Sequence, residues 1–433
     1  MSEAGDNAIP APPEMPTIVE HLFRHEWGKM VATLARIFGV GRLQLAEDVV
    51  QEALARALQT WPYYGIPENP SAWIMRVSRN LALDQLRRET NFRNKEEAIS
   101  HSFAPQASDD LLFSEDQIDD DCLRMMFVSC HPEIPAAAQV ALALRTLCGF
   151  SVAEIANAFL TTEAAIAKRL TRAKQRIRTA SIPFEIPAGE ELKTRLNGVL
   201  QTLYLLFNEG YKASMGERLI REELCREAIR LTDLLSRHPA GNRPRTHALL
   251  ALMFLNSARA PARMDSAGNI LRLQEQDRSR WDKSMIARGM FHLTQSASGS
   301  EISEYHLQAS IAACHCAARD FKETDWPQIL RLYDRLSQID NSPVVALNRA
   351  VAVANVHGPA AGIAAVSSIR SSKELRSYYL LHAVLGDFEA RLDRPQAAAA
   401  HFRKALKQTE IASEVQFLSK RLDECESALV SQA

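Results

Sequence analysis

The chain has 433 residues, of which 46% are hydrophobic and 24% are charged, and its formal net charge is −1. At roughly 150 residues per domain, this length predicts about two to four domains. Because the net charge of the whole chain is near zero, it gives no indication of nucleic-acid binding, and charge has to be considered segment by segment. Aromatic residues make up only 7%, and strands prefer aromatic and β-branched residues. We therefore expect an all-α protein.

Residues 1–17 are rich in proline and alanine and lack the basic-then-apolar order of a secretory signal. No stretch of the sequence approaches the roughly 18 uninterrupted apolar residues that a membrane helix needs. The seven cysteines are scattered along the chain. We expect a disordered N-terminal segment and a reduced, cytoplasmic protein with no membrane partner.

Residues 18–95 are predicted to form a helical domain. Apolar side chains recur at helical spacing from Leu43 to Leu58. Prolines then mark a loop, after which Ser71 is suited to cap a second helix that runs through Trp73 to Leu86.

Residues 96–121 differ from both flanks, because they contain nine acidic residues and neither lysine nor arginine. Such a run is typical of a solvated linker. Helical patterning resumes in residues 122–182, and Pro183 and Pro187 mark a further boundary. Residues 183–433 again indicate successive amphipathic helices.

The strongest local pattern lies between residues 142 and 178 and predicts a helix-turn-helix. A first helix ends near Gly149, where glycine adopts the left-handed conformation that terminates helices. Ser151 and Glu154 fit a capping box at the start of a short second helix. Thr162 is expected to cap the third helix, whose inner face holds Ile166, Leu170, Ala173 and Ile177.

The outer face of this third helix is cationic and is opposed only by Glu163. A helix with one apolar and one cationic face fits the major groove and its phosphates. The alternatives are a solvated basic helix on a bundle and the helix-turn-helix of an ordinary repressor. The cations are Lys168, Arg169, Arg172, Lys174, Arg176 and Arg178.

Three segments carry a family resemblance. Residues 46–57 read AEDVVQEALARA, residues 71–88 read SAWIMRVSRNLALDQLRR, and residues 149–156 read GFSVAEIA, followed by KRLTRAK at 168–174. In that order they resemble the polymerase-docking helix, the −10-melting helix and the −35-reading helix-turn-helix of extracytoplasmic-function sigma factors. Three motifs in the family's order are more specific than any one of them.

The resemblance implies a division into domains. Residues 18–95 would form sigma region 2, residues 96–121 an acidic linker, and residues 122–182 sigma region 4. The linker would thread the RNA channel of the polymerase, although a plain tether explains the same composition. Region 4 would read the −35 element through Thr162, Glu163, Lys168, Arg169, Arg172, Lys174 and Arg176.

Core RNA polymerase and promoter DNA are the partners that the resemblance implies. The clamp helices of the β′ subunit would receive region 2, and the flap of the β subunit is the second expected contact. Acidic and amide groups of region 2 would meet basic residues of the polymerase. The expected contact residues are Leu45, Asp48, Val49, Gln51 and Glu52.

Melted −10 DNA needs stacking surfaces and cations. Tyr63, Tyr64 and Trp73 are candidate platforms, but each suits a buried position equally well, and Trp73 is spaced with Val77 as a core pair. Asn80 coincides with the family's base-contacting position. The expected −10 residues are Trp73, Arg76, Arg79, Asn80, Arg87 and Arg88.

The C-terminal residues 183–433 carry signs of helical repeats. Small and aromatic residues between Gly386 and Ala405 have the spacing of a tetratricopeptide unit. Residues 203–211, 276–282, 312–315 and 347–352 resemble the extension of a sigma subgroup with a tetratricopeptide-like C-terminal domain. A protein or peptide regulator is the hypothesised partner of this extension.

No catalytic site, cofactor or metal site is expected, and the protein is not predicted to be an enzyme. Cys314–His315–Cys316 lacks the fourth ligand of a zinc site, and Asn208–Tyr211 and Asp277–Arg278 are better explained as buried polar links between helices. The alternative function is a stand-alone helix-turn-helix regulator with a helical ligand- or peptide-sensing domain. That alternative does not need the docking and melting helices.

Overall fold

The computed structural model describes residues 15–93, 115–159, 161–211, 222–266, 268–369, 372, 375–376 and 378–432. Within these ranges the prediction of an all-α protein is confirmed, because the described chain forms eighteen α-helices and no β-strand. The chain divides into two compact units, Met1–Thr202 and Leu203–Ala433. Residues 1–14 of the predicted N-terminal segment and residues 96–114 of the predicted acidic linker lie outside the described residues.

Among its described residues, the first unit contains seven complete helices and part of an eighth. Gly39 precedes a short 3-10 turn, Val40–Arg42, that links the first two helices. The helices are α1 (Met15–Phe38), α2 (Leu43–Tyr64), α3 (Pro70–Arg93), α4 (Glu115–Ser129), α5 (Ala136–Cys148), α6 (Val152–Ala158), α7 (Glu163–Thr179) and α8 (Gly189–Tyr211), which continues into the second unit.

Helix α1 packs on α2 and also on α4 and α5, so it holds the two halves of the unit together. Trp27 is buried and donates its indole N–H to the carbonyl oxygen of Arg145 at 3.3 Å. A Cβ atom at Gly28 would lie 1.9 Å from the carbonyl oxygen of Leu147. Only glycine permits this close approach of the two helix backbones.

The extent predicted for the acidic linker was wrong at its C-terminal end, because α4 begins at Glu115. Asp121 is fully buried, and its carboxylate accepts hydrogen bonds from Arg36 at 2.8 Å and from Arg124 at 3.3 Å. Two guanidinium groups compensate the desolvation of the carboxylate. Acidic composition alone could not distinguish this paired aspartate from a solvated one.

The local signals of the helix-turn-helix are confirmed. Gly149 ends α5 in the left-handed conformation with φ 67°. The backbone N–H of Ser151 donates to Glu154, and the backbone N–H of Glu154 donates to the Ser151 hydroxyl, which completes the capping box. The Thr162 side chain accepts from the Ala165 N–H at the start of α7. These bonds satisfy amide groups that a helix N-terminus leaves without partners.

The boundary between the compact units falls within α8, between Thr202 and Leu203. The sequence suggested an earlier boundary, with the extension beginning at residue 183. Val199 and Leu200 are buried in the first unit, and Gly198 faces Cys130 closely, with its added Cβ 3.2 Å from the Cys130 sulfur. The first half of α8 therefore completes the core of the first unit.

The second unit consists of helices that pack against their chain neighbours. Gly386 packs against the Phe402 ring, and a Cβ atom added at Gly386 would lie 2.7 Å from the nearest ring carbon. Asp393, between them in the chain, has a positive φ of 56°. None of the described helices is long and apolar enough to cross a membrane. The helices are α9 (Glu222–Arg237), α10 (Pro244–Ser257), α11 (Lys283–Ser296), α12 (Glu304–Ala317), α13 (Trp326–Ile339), α14 (Pro343–His357), α15 (Pro359–Ser367), α16 (Tyr379–Arg391), α17 (Pro395–Leu406) and α18 (Ala412–Gln432).

Arg278 is a polar link of the kind that the sequence suggested, although it is half-buried and not fully buried. Its guanidinium donates to the carbonyl oxygens of His315 and Ala318 and to the hydroxyl of Thr324, all at 2.8–2.9 Å. The same expectation was wrong for Asp277, which is exposed and accepts from the Ser279 N–H. Asp277 caps a 3-10 turn at the surface, so its carboxylate remains solvated.

Candidate nucleic-acid interface and docking surface

Helix α7 presents a cationic face because its opposite face is held in the core. Ile166, Leu170, Ala173 and Ile177 are all buried, as the helical spacing predicted. Lys168 and Arg172 have exposed side chains, and Arg169 is half-buried. Neither Lys168 nor Arg172 forms a salt bridge within the part of the chain that the structure describes. These cations are available to phosphates and base edges.

Two of the expected DNA-contacting cations are instead engaged within the protein. The Lys174 Nζ donates to Glu47 and to Gln44, both at 2.8 Å, and its side chain is only 16% exposed. Arg176 pairs with Glu133 at 2.9 Å. Thr162 and Glu163 are exposed at the N-terminus of α7. The free part of the cationic face is therefore smaller than the sequence suggested.

Helix α2 separates the five expected polymerase contacts into two groups. Asp48, Gln51 and Glu52 are exposed, whereas Leu45 is 9% exposed and Val49 is 4% exposed. Asp48 accepts from Gln44 at 2.8 Å, and Glu52 pairs with Arg56 at 3.0 Å. Leu45 and Val49 pack beneath the acidic face, so in this conformation they support it and do not form a contact surface.

Helix α3 leaves most of its expected DNA-binding side chains in solvent. Arg76, Asn80 and Arg88 are exposed, and Arg79 is half-buried. Arg87 is exposed and lies 3.6 Å from Asp84, one helical turn away.

The three aromatic candidates differ in their exposure to solvent. Trp73 is half-buried and packs edge-on against the buried Trp61, with ring centroids 5.5 Å apart. Tyr63 is 84% exposed and Tyr64 is 86% exposed at the end of α2. Since the two tyrosines have no core role, they are the freer stacking surfaces. Trp73 contributes to the packing between α2 and α3.

Glu47 is a residue whose role the sequence analysis missed. It belongs to the docking motif, yet it is 3% exposed and lies between Lys174 at 2.8 Å and Arg145 at 3.7 Å. Its helical spacing with Val50 and Leu54 places it on the buried side of α2. That spacing was the signal in the sequence that could have identified it.

Comparisons with known proteins match three segments of the chain to family models. The family models Sigma-70 region 2 and Sigma-70, region 4 match residues 23–92 and 124–177, and a family of unknown function, DUF6596, matches residues 195–297. The chain is 40% identical over 388 residues to an uncharacterized protein of Rhizobium meliloti (strain 1021), covering 88% of this chain and 90% of the relative.

A second relative carries a functional name. The chain is 30% identical over 134 residues to the ECF RNA polymerase sigma factor SigL of Mycobacterium tuberculosis (strain H37Rv), covering 31% of this chain and 72% of SigL. No solved structure gives a significant match to the chain.

Proposed function

The chain belongs to the extracytoplasmic-function family of RNA polymerase sigma factors, and from this we propose which of its surfaces serve the polymerase and which serve the promoter. As an alternative sigma factor, it binds core RNA polymerase and promoter DNA and directs transcription initiation. The family is not a class of enzymes. The single observation that carries the assignment of surfaces is the exposed cationic face of an N-capped α7 whose other face is buried.

Helix α2 docks on the clamp helices of the polymerase β′ subunit. Asp48, Gln51 and Glu52 offer carboxylates and an amide on one exposed face, and such groups complement basic residues on a partner. Leu45 and Val49 hold that face rigidly from beneath. The domain formed by residues 122–182 meets the flap of the β subunit.

Helix α3 and the end of α2 hold the melted −10 strand. Arg76, Arg87 and Arg88 are exposed cations that can meet phosphates, and Asn80 offers both a donor and an acceptor to a base edge. Tyr63 and Tyr64 add exposed rings, and stacking on aromatic rings is the sequence-tolerant way to bind single strands. Arg79, on the same helix as Asn80, is half-buried.

Helix α7 enters the major groove at the −35 element. Residues near the N-terminus of such a helix reach base edges, and later cations hold phosphates. Arg169 and Arg172 are suited to bidentate contacts with guanine, and Lys168 is suited to a phosphate. Thr162 and Glu163 lie exposed at the helix start, where short polar side chains approach the bases.

The C-terminal extension regulates this activity by binding a protein or a peptide. Helical arrays present extended surfaces for such partners. Truncation after residue 211, which keeps the first compact unit whole, is expected to alter promoter-directed transcription or its regulation. Unchanged transcription and regulation in the truncated protein would count against a role for the extension.

The assignment of α3 and α7 is tested by comparing two variants as holoenzymes with two probes. Asn80→Ala should weaken binding mainly to a single-stranded −10 oligonucleotide, and Arg172→Ala mainly to a −35 duplex. The promoter is first identified by mapping transcripts after overexpression. Lys193→Ala, which removes an exposed cation outside α7, is the matched control. Equal losses on both probes from either variant would contradict the assignment.

A further inference from the structure

The second unit contains a cavity of about 330 Å³ that none of the surfaces above uses. Small-molecule sites occupy roughly 300–1,000 Å³, so the cavity suits a small ligand. Its walls come from α8, α10, α12, α13 and α14, and polar groups are prominent in them. The polar lining residues include Arg259, Gln308, His315, Tyr333, Asp340 and Asn348.

Arg259 is a cation without a carboxylate partner among the described residues. Its guanidinium lies over the Trp281 ring, 5.2 Å from the centroid, and its Nε atom is buried without a hydrogen bond within the described chain. Arg278 lies over the same ring at 4.9 Å, but its guanidinium donates to carbonyl oxygens and a hydroxyl. The Arg278 guanidinium thus has hydrogen-bond partners within the fold, whereas Arg259 has no carboxylate partner among the described residues.

His315 is a second unsatisfied polar group in the same wall. It is 8% exposed, and its buried Nδ1 atom makes no hydrogen bond to any described residue. Burial lowers the pKa of His315 to about 3, and the charges of Arg259 and Arg278 lower it as well. The ring is therefore neutral at physiological pH. Buried polar atoms in folded proteins are normally paired, and a ligand is one source of such a partner.

Asp340 in the cavity lining limits the kind of anion that fits. Asp340 lines the cavity and already accepts the Ser342 N–H at 2.9 Å. The Asp340 carboxylate repels a polyanion such as a phosphate ester. It attracts a hydrogen-bond donor or an ammonium group on the ligand. Gln308 is oriented by the Tyr204 hydroxyl, which donates to its Oε1 at 3.1 Å. The cavity therefore combines one free cation with acceptors and amides.

We propose that this cavity binds a small ligand that carries one carboxylate and an adjacent N–H or ammonium donor. The carboxylate pairs with Arg259, whose planar fork matches a carboxylate in two hydrogen bonds. The donor group faces Asp340, and the amides of Gln308 and Asn348 complete the polar contacts. Such chemistry is found in a free α-amino acid and at the C-terminal residue of a peptide.

The test measures binding to the full-length protein by isothermal titration calorimetry and thermal unfolding. The probes are free amino acids, tripeptides with a free C-terminal carboxylate, the same tripeptides with an amidated C-terminus, and inorganic phosphate. At least one carboxylate probe should bind saturably, and amidation should abolish binding of the tripeptides. Preference for amino acids or for tripeptides identifies the source of the ligand, and either supports the proposal.

Three variants identify the site. Arg259→Gln should weaken binding by about tenfold or more, because it removes a charged hydrogen-bonding partner. Asn348→Ala changes an exposed residue of the cavity lining, so it should weaken binding without unfolding the protein. Arg280→Gln removes an exposed guanidinium outside the cavity and should bind as the wild type does.

Three results would overturn the proposal. The first is that no carboxylate probe binds saturably at millimolar concentration. The second is that phosphate binds in preference to every carboxylate probe. The third is that Asn348→Ala and Arg259→Gln both bind with unchanged affinity. If Arg259→Gln fails to fold, Asn348→Ala alone decides whether binding occurs in this cavity.

Discussion

The Lys174 ammonium group on α7 donates a hydrogen bond to the buried carboxylate of Glu47 on α2, with the nitrogen and oxygen atoms 2.8 Å apart. The contact joins the helix proposed to read the −35 element to the helix proposed to dock on the polymerase. While it lasts, Lys174 cannot hold a phosphate. Full use of the α7 cationic face therefore requires that this ion pair be broken.

Substitution of Glu47 by glutamine is predicted to release Lys174. We expect the free energy of unfolding to fall by about 1–3 kcal/mol, because Arg145 and Lys174 lose a buried partner. We also expect the free protein to bind duplex DNA more tightly. Urea unfolding and fluorescence anisotropy measure the two effects. Glu52→Gln, at an exposed i,i+4 pair, should change stability by about 0.5 kcal/mol at most. Unchanged DNA affinity in Glu47→Gln would show that Lys174 does not reach the duplex.

Gly28→Ala is predicted to disturb the packing of α1 on α5. The added methyl group would meet the Leu147 carbonyl oxygen at 1.9 Å, and a backbone atom cannot rotate away as a side chain can. Overpacking of this kind lowers stability by about 1–3 kcal/mol. Chemical unfolding of the variant measures the loss. Gly41→Ala is the control, since the nearest atoms to its added Cβ lie 3.9 Å away. Equal stability of the two variants would refute the close approach.

The exposed tyrosines should separate binding from folding. Replacement of Tyr63 and Tyr64 by alanine is predicted to leave the thermal midpoint unchanged, because both rings are in solvent. Binding of single-stranded −10 DNA should weaken by about 1–3 kcal/mol for each stacked base that is lost. Trp61→Ala, by contrast, removes a buried ring and should destabilise the protein by about 3–5 kcal/mol. Wild-type affinity in the double tyrosine variant would exclude stacking at this site.

The second unit is predicted to lose stability in mild acid. Burial lowers the pKa of His315 to about 3 and the pKa of His292 to about 4. Folding therefore favours the neutral rings, so their stabilising contribution is full above pH 6.5 and declines as the pH falls. For His315 the decline amounts to about 2 kcal/mol at pH 5. Thermal unfolding from pH 7 to pH 5 measures it.

A pair of variants attributes that pH dependence to its source. His315→Gln should show a shallower fall of the thermal midpoint than the wild type. His357→Gln, which changes an exposed histidine, should retain the wild-type slope. If both variants keep the same slope, the buried ring of His315 does not cause the decline.

The helix-turn-helix could be predicted from the sequence because its signals are local. Gly149, Ser151, Glu154 and Thr162 each act within a few residues of their own position, so their spacing alone indicates the caps. The apolar face of α7 follows from helical periodicity in the same way.

Long-range pairing could not be predicted from composition. Asp121 is paired with Arg36, and Glu47 with Lys174, across separations of 85 and 127 residues. An acidic residue in a charged run and one in a buried pair look alike in sequence. The cavity beside Arg259 could not be predicted for the same reason. Its lining residues are spread from Tyr204 to Asn348 and meet only in the folded chain.

The most direct measurement is gel filtration of the protein mixed with core RNA polymerase, followed by run-off transcription from a mapped promoter. We predict that the wild type co-elutes with the core enzyme and supports initiation. The double variant Asp48→Arg and Glu52→Arg, which reverses the charge of the exposed α2 face, should do neither, whereas the exposed control Glu68→Arg should do both. Co-elution and transcription by the double variant at wild-type levels would contradict the proposed docking surface.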